Sequence, residues 1–305
     1  MKTLKYIPLI TVLFIYSCSR NDDATVALNL APKDFNVTPK AADIGLGITL
    51  SWEASIDPEN EKVIYDIIVN DETVEENTTS LTYSFDAGSY GIILTGKIVA
   101  KDESGNKTTS DFSITSSDMV YIPDSNFEQS LIDNGIDNGD LDQKISYFRV
   151  KDIKVLDAEN KSIADLTGIE AFSSLEKLYC AKNNISNIDI SNNNALTLLS
   201  CFTNNLKELD LQFNTELIVL ACSSNQLEKL DVSSNKLLKK ITCSYNNSLS
   251  NLNIANGNNH NFSNAFFNGN PNLSCIQIDA EFEVPPSNTD GWVYDTTVSF
   301  KTSCL

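Results

Sequence analysis

Four consecutive segments of the chain align without a gap, and no other feature limits its folding options as much. They are "LEKLYCAKNNISNIDISNNNA" from Leu175, "LTLLSCFTNNLKELDLQFNTE" from Leu196, "LIVLACSSNQLEKLDVSSNKL" from Leu217 and "LKKITCSYNNSLSNLNIANGN" from Leu238, a period of 21 residues. Cys180, Cys201, Cys222 and Cys243 occupy one position of this period, and Asn183, Asn204, Asn225 and Asn246 another. Two residues before the cysteines stand Leu178, Leu199, Leu220 and Ile241. A unit this short cannot enclose a core alone. It buries its apolar face by stacking on its neighbours, which makes a solenoid.

The pattern L-x-x-L-x-C-x-x-N-x-L resembles that of leucine-rich repeats, with cysteine where leucine is usual. Each repeat also contains itself. "LEKLYCAKN" and "ISNIDISNN" share L-x-x-L-x-Φ-x-x-N, offset by ten residues, and the second halves end in Asn193, Asn214 and Asn235. Two extended segments and two turns per coil are therefore expected, with too little chain for a helix. An asparagine at each turn can bond backbone groups that the corner leaves unpaired, so stacked coils predict asparagine ladders.

The cysteines alternate with polar neighbours and share a face with the leucines, which places them in the core as compact apolar residues. In-register strands stand about 4.8 Å apart with parallel Cβ vectors, whereas a disulfide needs Cβ atoms at about 3.8 Å with converging vectors. A buried column of free thiols is expected. A single file of thiols cannot surround a tetrahedral metal ion. A nucleophilic role also lacks a cation or histidine inside the buried column to lower a thiol pKa.

The array extends beyond the four aligned segments. "IKVLDAENKSIADLTGIEAFSS" from Ile153 fits the pattern loosely, with Ala158 near the cysteine position. "FSNAFFNGNPNL" from Phe262 puts Phe267 in the column and Asn270 on the ladder. "IPDSNFEQSLIDNG" has an Asp/Ser start, apolar Phe127, Leu131 and Ile132, and a Gly stop, and predicts a short capping helix. Cys275 and Cys304 lie outside the column, and a disulfide between them would staple the last strands. "DNGIDNGDLDQ" clusters Asp137, Asp140 and Asp142 but lacks the spacing and bidentate Glu of an EF-hand, so it reads as a polar turn rather than a calcium loop. "VYIPDSNFEQSLID", the repeats, "NPNLSCIQID" and "SFKTSC" together resemble leucine-rich repeat surface proteins of Flavobacteria and their relatives.

The start of the chain bears on location. "MKTLKYIPLITVLFIYSCSRNDD" places Lys2 and Lys5 before an apolar run too short to span a bilayer, the layout of a secretory signal. "IYSC" resembles the lipobox of bacterial lipoproteins, with Cys18 as the lipidated residue, although Tyr16 stands where a small residue is usual. "SRNDD" resembles the acidic tether of surface-exported lipoproteins of the Bacteroidetes. No later segment is apolar enough to span, so the expected membrane attachment is the lipid alone, on the outer membrane and facing the exterior.

Between tether and array, "ITLSWEASIDPENEKVIYDIIVNDE", "SLTYSF", "GIILTGKIVAKD" and "TTSDFSITSS" alternate apolar and polar residues with period two, and "DESGNK" reads as a hairpin turn. "LSWEASIDPE" with Trp52, "VIYDIIV" and "GKIVAKDESGN" resemble the strands of a fibronectin type III domain. Leu94 replaces the tyrosine expected before Ala100, which leaves the tyrosine corner missing or taken over by Tyr90. The expected architecture is mostly β. It runs as a signal peptide over 1–17, a tether over 18–30, a fibronectin type III-like β-sandwich over 31–117, an N-terminal helical cap over 118–152, repeats over 153–274 and a C-terminal β cap over 275–305.

A formal net charge of −19 argues against nucleic acid and against resting on anionic lipid. The single histidine, His260, sits in the Asn/Gly-rich "NGNNHNF" and reads as a solvated side chain rather than a catalytic base. The sequence thus predicts a monomeric cell-surface protein that binds a protein or a glycan, without cofactor or catalysis. Tyr179, Leu198, Phe202, Val219, Tyr245 and Phe266, outward beside the cysteine column, are the candidate contacts. The alternative is a glycan-binding accessory protein or hydrolase of polysaccharide utilisation. It would draw on carboxylate pairs, but the acidic series Asp189, Asp210 and Asp231 is periodic and reads as structural.

Overall fold

A computed structural model describes residues 28–304. The first part is built from β1 (Val37–Ala41), β2 (Gly47–Trp52), β3 (Ile64–Val69), β4 (Glu72–Thr78), β5 (Thr82–Asp86), β6 (Ile93–Lys101) and β7 (Lys107–Thr115). They form two antiparallel sheets, β1-β2-β5 and β4-β3-β6-β7. Period-two alternation explains the pairing of the sheets. Ile48, Leu50 and Trp52 of β2 and Tyr65, Ile67 and Val69 of β3 point inward to one core with Ile98, Ala100 and Phe112. The Trp52 ring meets Tyr65 edge-on at 5.6 Å, and Tyr65 meets Phe35 at 5.8 Å. β4 was not legible as a strand, because its sequence ETVEENT is exposed at six of seven positions and pairs only along one edge.

Of the two expectations for the tyrosine corner, its absence fits and its replacement by Tyr90 does not. Leu94 is buried in the sheet core, and Tyr65 is the tyrosine whose hydroxyl takes a backbone bond there, from the Ser55 N–H at 2.8 Å. Tyr90 instead leaves the sandwich and stacks on Tyr147 at 5.2 Å. Burial, then the charges of Glu170 and Asp86, push its hydroxyl pKa up to about 12. Beside it, Gly91 holds a left-handed φ of 64°, and a Cβ there would stand 2.9 Å from the Phe148 ring. The Gly45 N–H to Met119 carbonyl bond at 2.8 Å and the Gly91 N–H to Ser117 carbonyl bond at 3.0 Å tie the same junction.

A cap follows: β8 (Met119–Tyr121), helix α1 (Ser125–Asp133), β9 (Lys144–Ser146) and the short helix α2 (Tyr147–Val150), with β8 and β9 antiparallel. Asp124 starts α1. One carboxylate oxygen accepts from Asn126 N and Phe127 N at 2.8 and 3.0 Å, and the other from Ala164 N and Asp165 N of the first coil at 2.7 and 3.0 Å. Phe127 and Leu131 enter the solenoid core, so the helix closes the open end of the stack.

The solenoid contains β10 (Val155–Asp157), β11 (Lys177–Tyr179), β12 (Leu198–Ser200), β13 (Val219–Ala221), β14 (Lys229–Asp231), β15 (Lys240–Thr242), β16 (Asn251–Asn253), β17 (Asn264–Phe266), β18 (Cys275–Gln277), β19 (Trp292–Val293) and β20 (Ser299–Lys301). A seven-stranded parallel sheet runs in the order β10-β11-β12-β13-β15-β17-β19. Leu156, Leu178, Leu199, Leu220, Ile241, Ala265 and Trp292 stand in one register and point into the core. The other side of the coils forms a four-stranded sheet, β14-β16-β18-β20, confined to the C-terminal part. In earlier coils Ile188 and Leu209 still point inward, but clefts open between 164–170 and 186–189 and between 207–210 and 228–231. Ladder hydrogen bonds run the length of the stack on one side of the coil, whereas on the other they are sparse before Lys229 and regular after it.

The last coil closes on Trp292, which packs against Phe262 at 5.9 Å, Phe267 at 5.9 Å and Phe282 at 5.4 Å. Cys275 in β18 is bonded to Cys304, just past β20, with their Cα atoms 5.8 Å apart.

Candidate binding face

Parallel pairing without register shifts turns each repeat position into a file of side chains across the sheet. One outward file reads Val155, Lys177, Leu198, Val219, Lys240 and Asn264. The next, two residues along, reads Asp157, Tyr179, Ser200, Ala221, Thr242 and Phe266. Between them lies the inward leucine file. The small residues Ser200, Ala221 and Thr242 thus form a trough floor between the rings of Tyr179 and Phe266. Those rings are four strands apart, about 19 Å at the usual strand spacing.

The six candidate contacts do not form one file, which corrects the sequence reading. Leu198 and Val219 are adjacent in the first file, and Tyr179 and Phe266 stand four strand steps apart in the second, with Asp157 beyond Tyr179. Phe202 lies past the end of β12, with the Lys182 ammonium 5.5 Å above its ring. Tyr245 lies on no strand. It sits in the turn after Cys243 at φ 59°, and its ring covers Gly269 of the next coil. Lys182, Thr203 and Ser224 share that left-handed conformation, at φ 56–57°. The cause is the turn. The chain must reverse within two residues of the cysteine, and that requires positive φ at the same phase in every coil.

Behind the face run the cysteines. Cys180, Cys201, Cys222 and Cys243 are fully buried and unbonded to one another. Burial pushes the Cys201 and Cys243 thiols up to about 12. Burial and then neighbouring thiols push Cys180 and Cys222 up well above the ordinary range. Such thiols stay protonated and present no nucleophile.

The asparagines hold the corner beside them. The Asn225 side-chain carbonyl accepts from Leu206 N of the preceding coil at 3.0 Å, and its amide donates to the carbonyls of Cys201 and Cys222 at 3.0 and 3.1 Å. Asn204 repeats this with Ile185 N, Cys180 O and Cys201 O, and Asn246 with Leu227 N, Cys222 O and Cys243 O. Asn183 takes the Ile163 N–H and reaches Ala158 O and Cys180 O, and Asn270 takes the Asn246 N–H and reaches Cys243 O and Phe267 O. Asn193, Asn214 and Asn235 form the ladder at the opposite corner, donating to carbonyls of the preceding coil.

The remaining candidates are accounted for as turn chemistry. Asp189, Asp210 and Asp231 each accept from the backbone N–H two residues on, at 3.0, 3.0 and 2.8 Å. The bonds from Ser191 hold the Asp189 carboxyl below its usual range. Asp137 and Asp142 likewise accept from nearby backbone, and among the described residues no three His, Cys, Asp or Glu side chains cluster to hold a metal. His260 meets the Phe282 ring edge-on at 5.0 Å. Cys18 lies outside the described residues. Sequence reasoning passed over Lys177, Ile218 and Lys240 on the outward face. Writing the aligned repeats as files rather than searching for aromatics would have found them.

No family model matches the chain. A stretch of 101 residues is 36% identical to Internalin J of Listeria monocytogenes serotype 4b (strain F2365), covering 33% of this chain and 11% of that protein. The chain therefore spans about a tenth of the length of the curated relative it matches. Among solved structures, a functional domain of InlJ from Listeria monocytogenes, described as including a cysteine ladder, is 26% identical with a TM-score of 0.45, covering 60% of this chain and 47% of that one. An internalin, inlF, from Listeria monocytogenes str. 4b F2365 is 18% identical with a TM-score of 0.37, covering 59% and 56% of the two chains. The chain thus carries a solenoid of stacked short coils with a seven-stranded parallel sheet, and 101 of its residues are similar in sequence to Internalin J.

Proposed function

We propose that the chain is a cell-surface binding protein whose contact surface is the outward face of the seven-stranded sheet. The observation that carries this reading is the face itself. Seven strands in register present a broad surface with an apolar strip at Leu198, Ile218 and Val219 beside a trough of small residues. An apolar strip on a rigid scaffold, with Ile218 exposed and Leu198 and Val219 half-buried, suits contact with another macromolecule. The fibronectin type III-like sandwich would act as a spacer, and a lipid on Cys18 would anchor the chain to the outer membrane, facing outward.

Photo-crosslinking tests the face. A photoreactive residue at Ala221 should capture a partner on intact cells or in surrounding fluid, and one at Lys229, on the opposite side of the coil, should not. Capture from Lys229 alone would overturn the assignment. For the anchor, Cys18→Ala should shift the protein out of the membrane fraction, and unchanged fractionation would refute lipidation.

A further inference from the structure

The charge on this face narrows the chemistry of what it binds. The chain as a whole has a formal net charge of −19. The outward file through the middle of the sheet nevertheless reads Lys177, Leu198, Val219, Lys240, an apolar pair bracketed by lysines. Lys239 stands next to Lys240, and Ile218 next to Val219, widening both features. All three lysines are exposed, and among the described residues none makes an ion pair. By contrast, Lys154 and Lys182 at the margins are neutralised by Glu176 and Glu159 at 2.7 and 2.8 Å. Lys177 on one side and Lys239–Lys240 on the other thus flank the apolar strip with unpaired charge, within a protein otherwise rich in carboxylates.

We infer that the partner is an acidic polypeptide segment that sets an apolar side chain on the Leu198–Val219 strip, beside the trough, and carboxylates on Lys177 and on Lys239–Lys240. This rests on the proposed function and deepens it. Lys177 and Lys240 are three strand steps apart, about 14 Å at the usual spacing. An extended chain covers that distance in about four residues. The predicted recognition element is therefore two carboxylates about four residues apart in an extended segment, with an aliphatic or aromatic residue between them. A polyanion such as a sulfated glycan fits less well. Three lysines in two groups neutralise little of a continuous charge, and the Leu198–Val219 strip between them is aliphatic carbon, with only the Ser200 and Thr242 hydroxyls beside it.

The experiment is selection of a random peptide library on the purified chain lacking the signal segment. Enriched peptides are then measured on the parent, on Lys239→Glu/Lys240→Glu, on Ala221→Trp and on Lys207→Glu/Lys229→Glu of the opposite flank. The expected peptides are acidic with a central apolar residue. Their affinity should fall roughly three- to tenfold in Lys239→Glu/Lys240→Glu, fall in Ala221→Trp, and hold in the flank variant. Higher salt should weaken them. Neutral or basic peptides lost in Ala221→Trp would overturn the acidic chemistry and leave the face standing. Acidic peptides indifferent to Ala221→Trp would overturn the face. Binding of heparin in preference to every peptide, lost in Lys239→Glu/Lys240→Glu, would show a glycan surface and overturn the polypeptide.

Discussion

Replacing Asn225 by Ala isolates what the asparagine ladder contributes. The side chain is buried, accepts one bond from Leu206 N and donates to Cys201 O and Cys222 O, with a longer contact to Ser223 O at 3.4 Å. Both carbonyls keep a second donor, because Asn204 also donates to Cys201 O and Asn246 to Cys222 O. The Leu206 N–H has no such reserve and would be left buried and unbonded. A lost hydrogen bond is worth about 0.5–1.5 kcal/mol, and an orphaned buried donor costs about 1–3 kcal/mol. Asn225→Ala should therefore destabilise the solenoid by about 3 kcal/mol. Asn235 at the other corner provides the comparison. It makes two bonds, both donated, to Leu211 O and Asn214 O, so Asn235→Ala orphans no N–H and should cost about 1–2 kcal/mol. Denaturant unfolding followed by circular dichroism reads the difference. The reasoning fails if Asn225→Ala costs less than about 1 kcal/mol, or if Asn235→Ala costs more than it does.

Three further outcomes follow from the same geometry. Cys222→Ala should cost about 1–3 kcal/mol through lost contacts and a small cavity, and the native thiol should resist alkylation until the chain unfolds; rapid labelling of folded protein would contradict its burial. Thr203 is β-branched at φ 56°, so Thr203→Gly should raise stability by about 1 kcal/mol, and a lower midpoint would show that the turn is not strained. For the Asp124 carboxyl, burial acts upward, but the N–H groups of Ala164, Phe127, Asp165 and Asn126 outweigh it and hold the pKa below its ordinary value. Its stabilisation is thus present above the unfolded pKa and lost as pH falls through the folded one. Asp124→Asn should be less stable than the parent near neutral pH and converge on it in acid, and a constant gap across pH would refute the linkage.

Legibility in the sequence followed the strength of periodicity. The phase of cysteine, leucine and asparagine specifies the parallel sheet, because a residue that recurs every coil has nowhere to go but one file. The sequence predicts a second extended segment in every coil, but it pairs as a strand only from Lys229 onward, since the same L-x-x-L signal in Ile188 and Leu209 specifies burial and not ladder bonding. The sequence leaves open whether Tyr90 takes over the tyrosine corner, because its actual partner, Tyr147, is 57 residues away. On the face, a search for aromatics gathered Phe202 and Tyr245, which the left-handed turn carries off the strands, and overlooked the lysines that register places beside Leu198 and Val219.

The central claim is that the trough floored by Ser200, Ala221 and Thr242 is in the contact surface. Its most direct test is the affinity of Ala221→Trp for the partner captured by crosslinking, measured beside the thermal midpoint of the folded chain. Ala221 points outward from β13, so an indole there fills the trough without entering the core. The account predicts binding weakened by about tenfold or more with an unchanged Tm. Full affinity in a variant of unchanged Tm would place the contact surface elsewhere on the molecule.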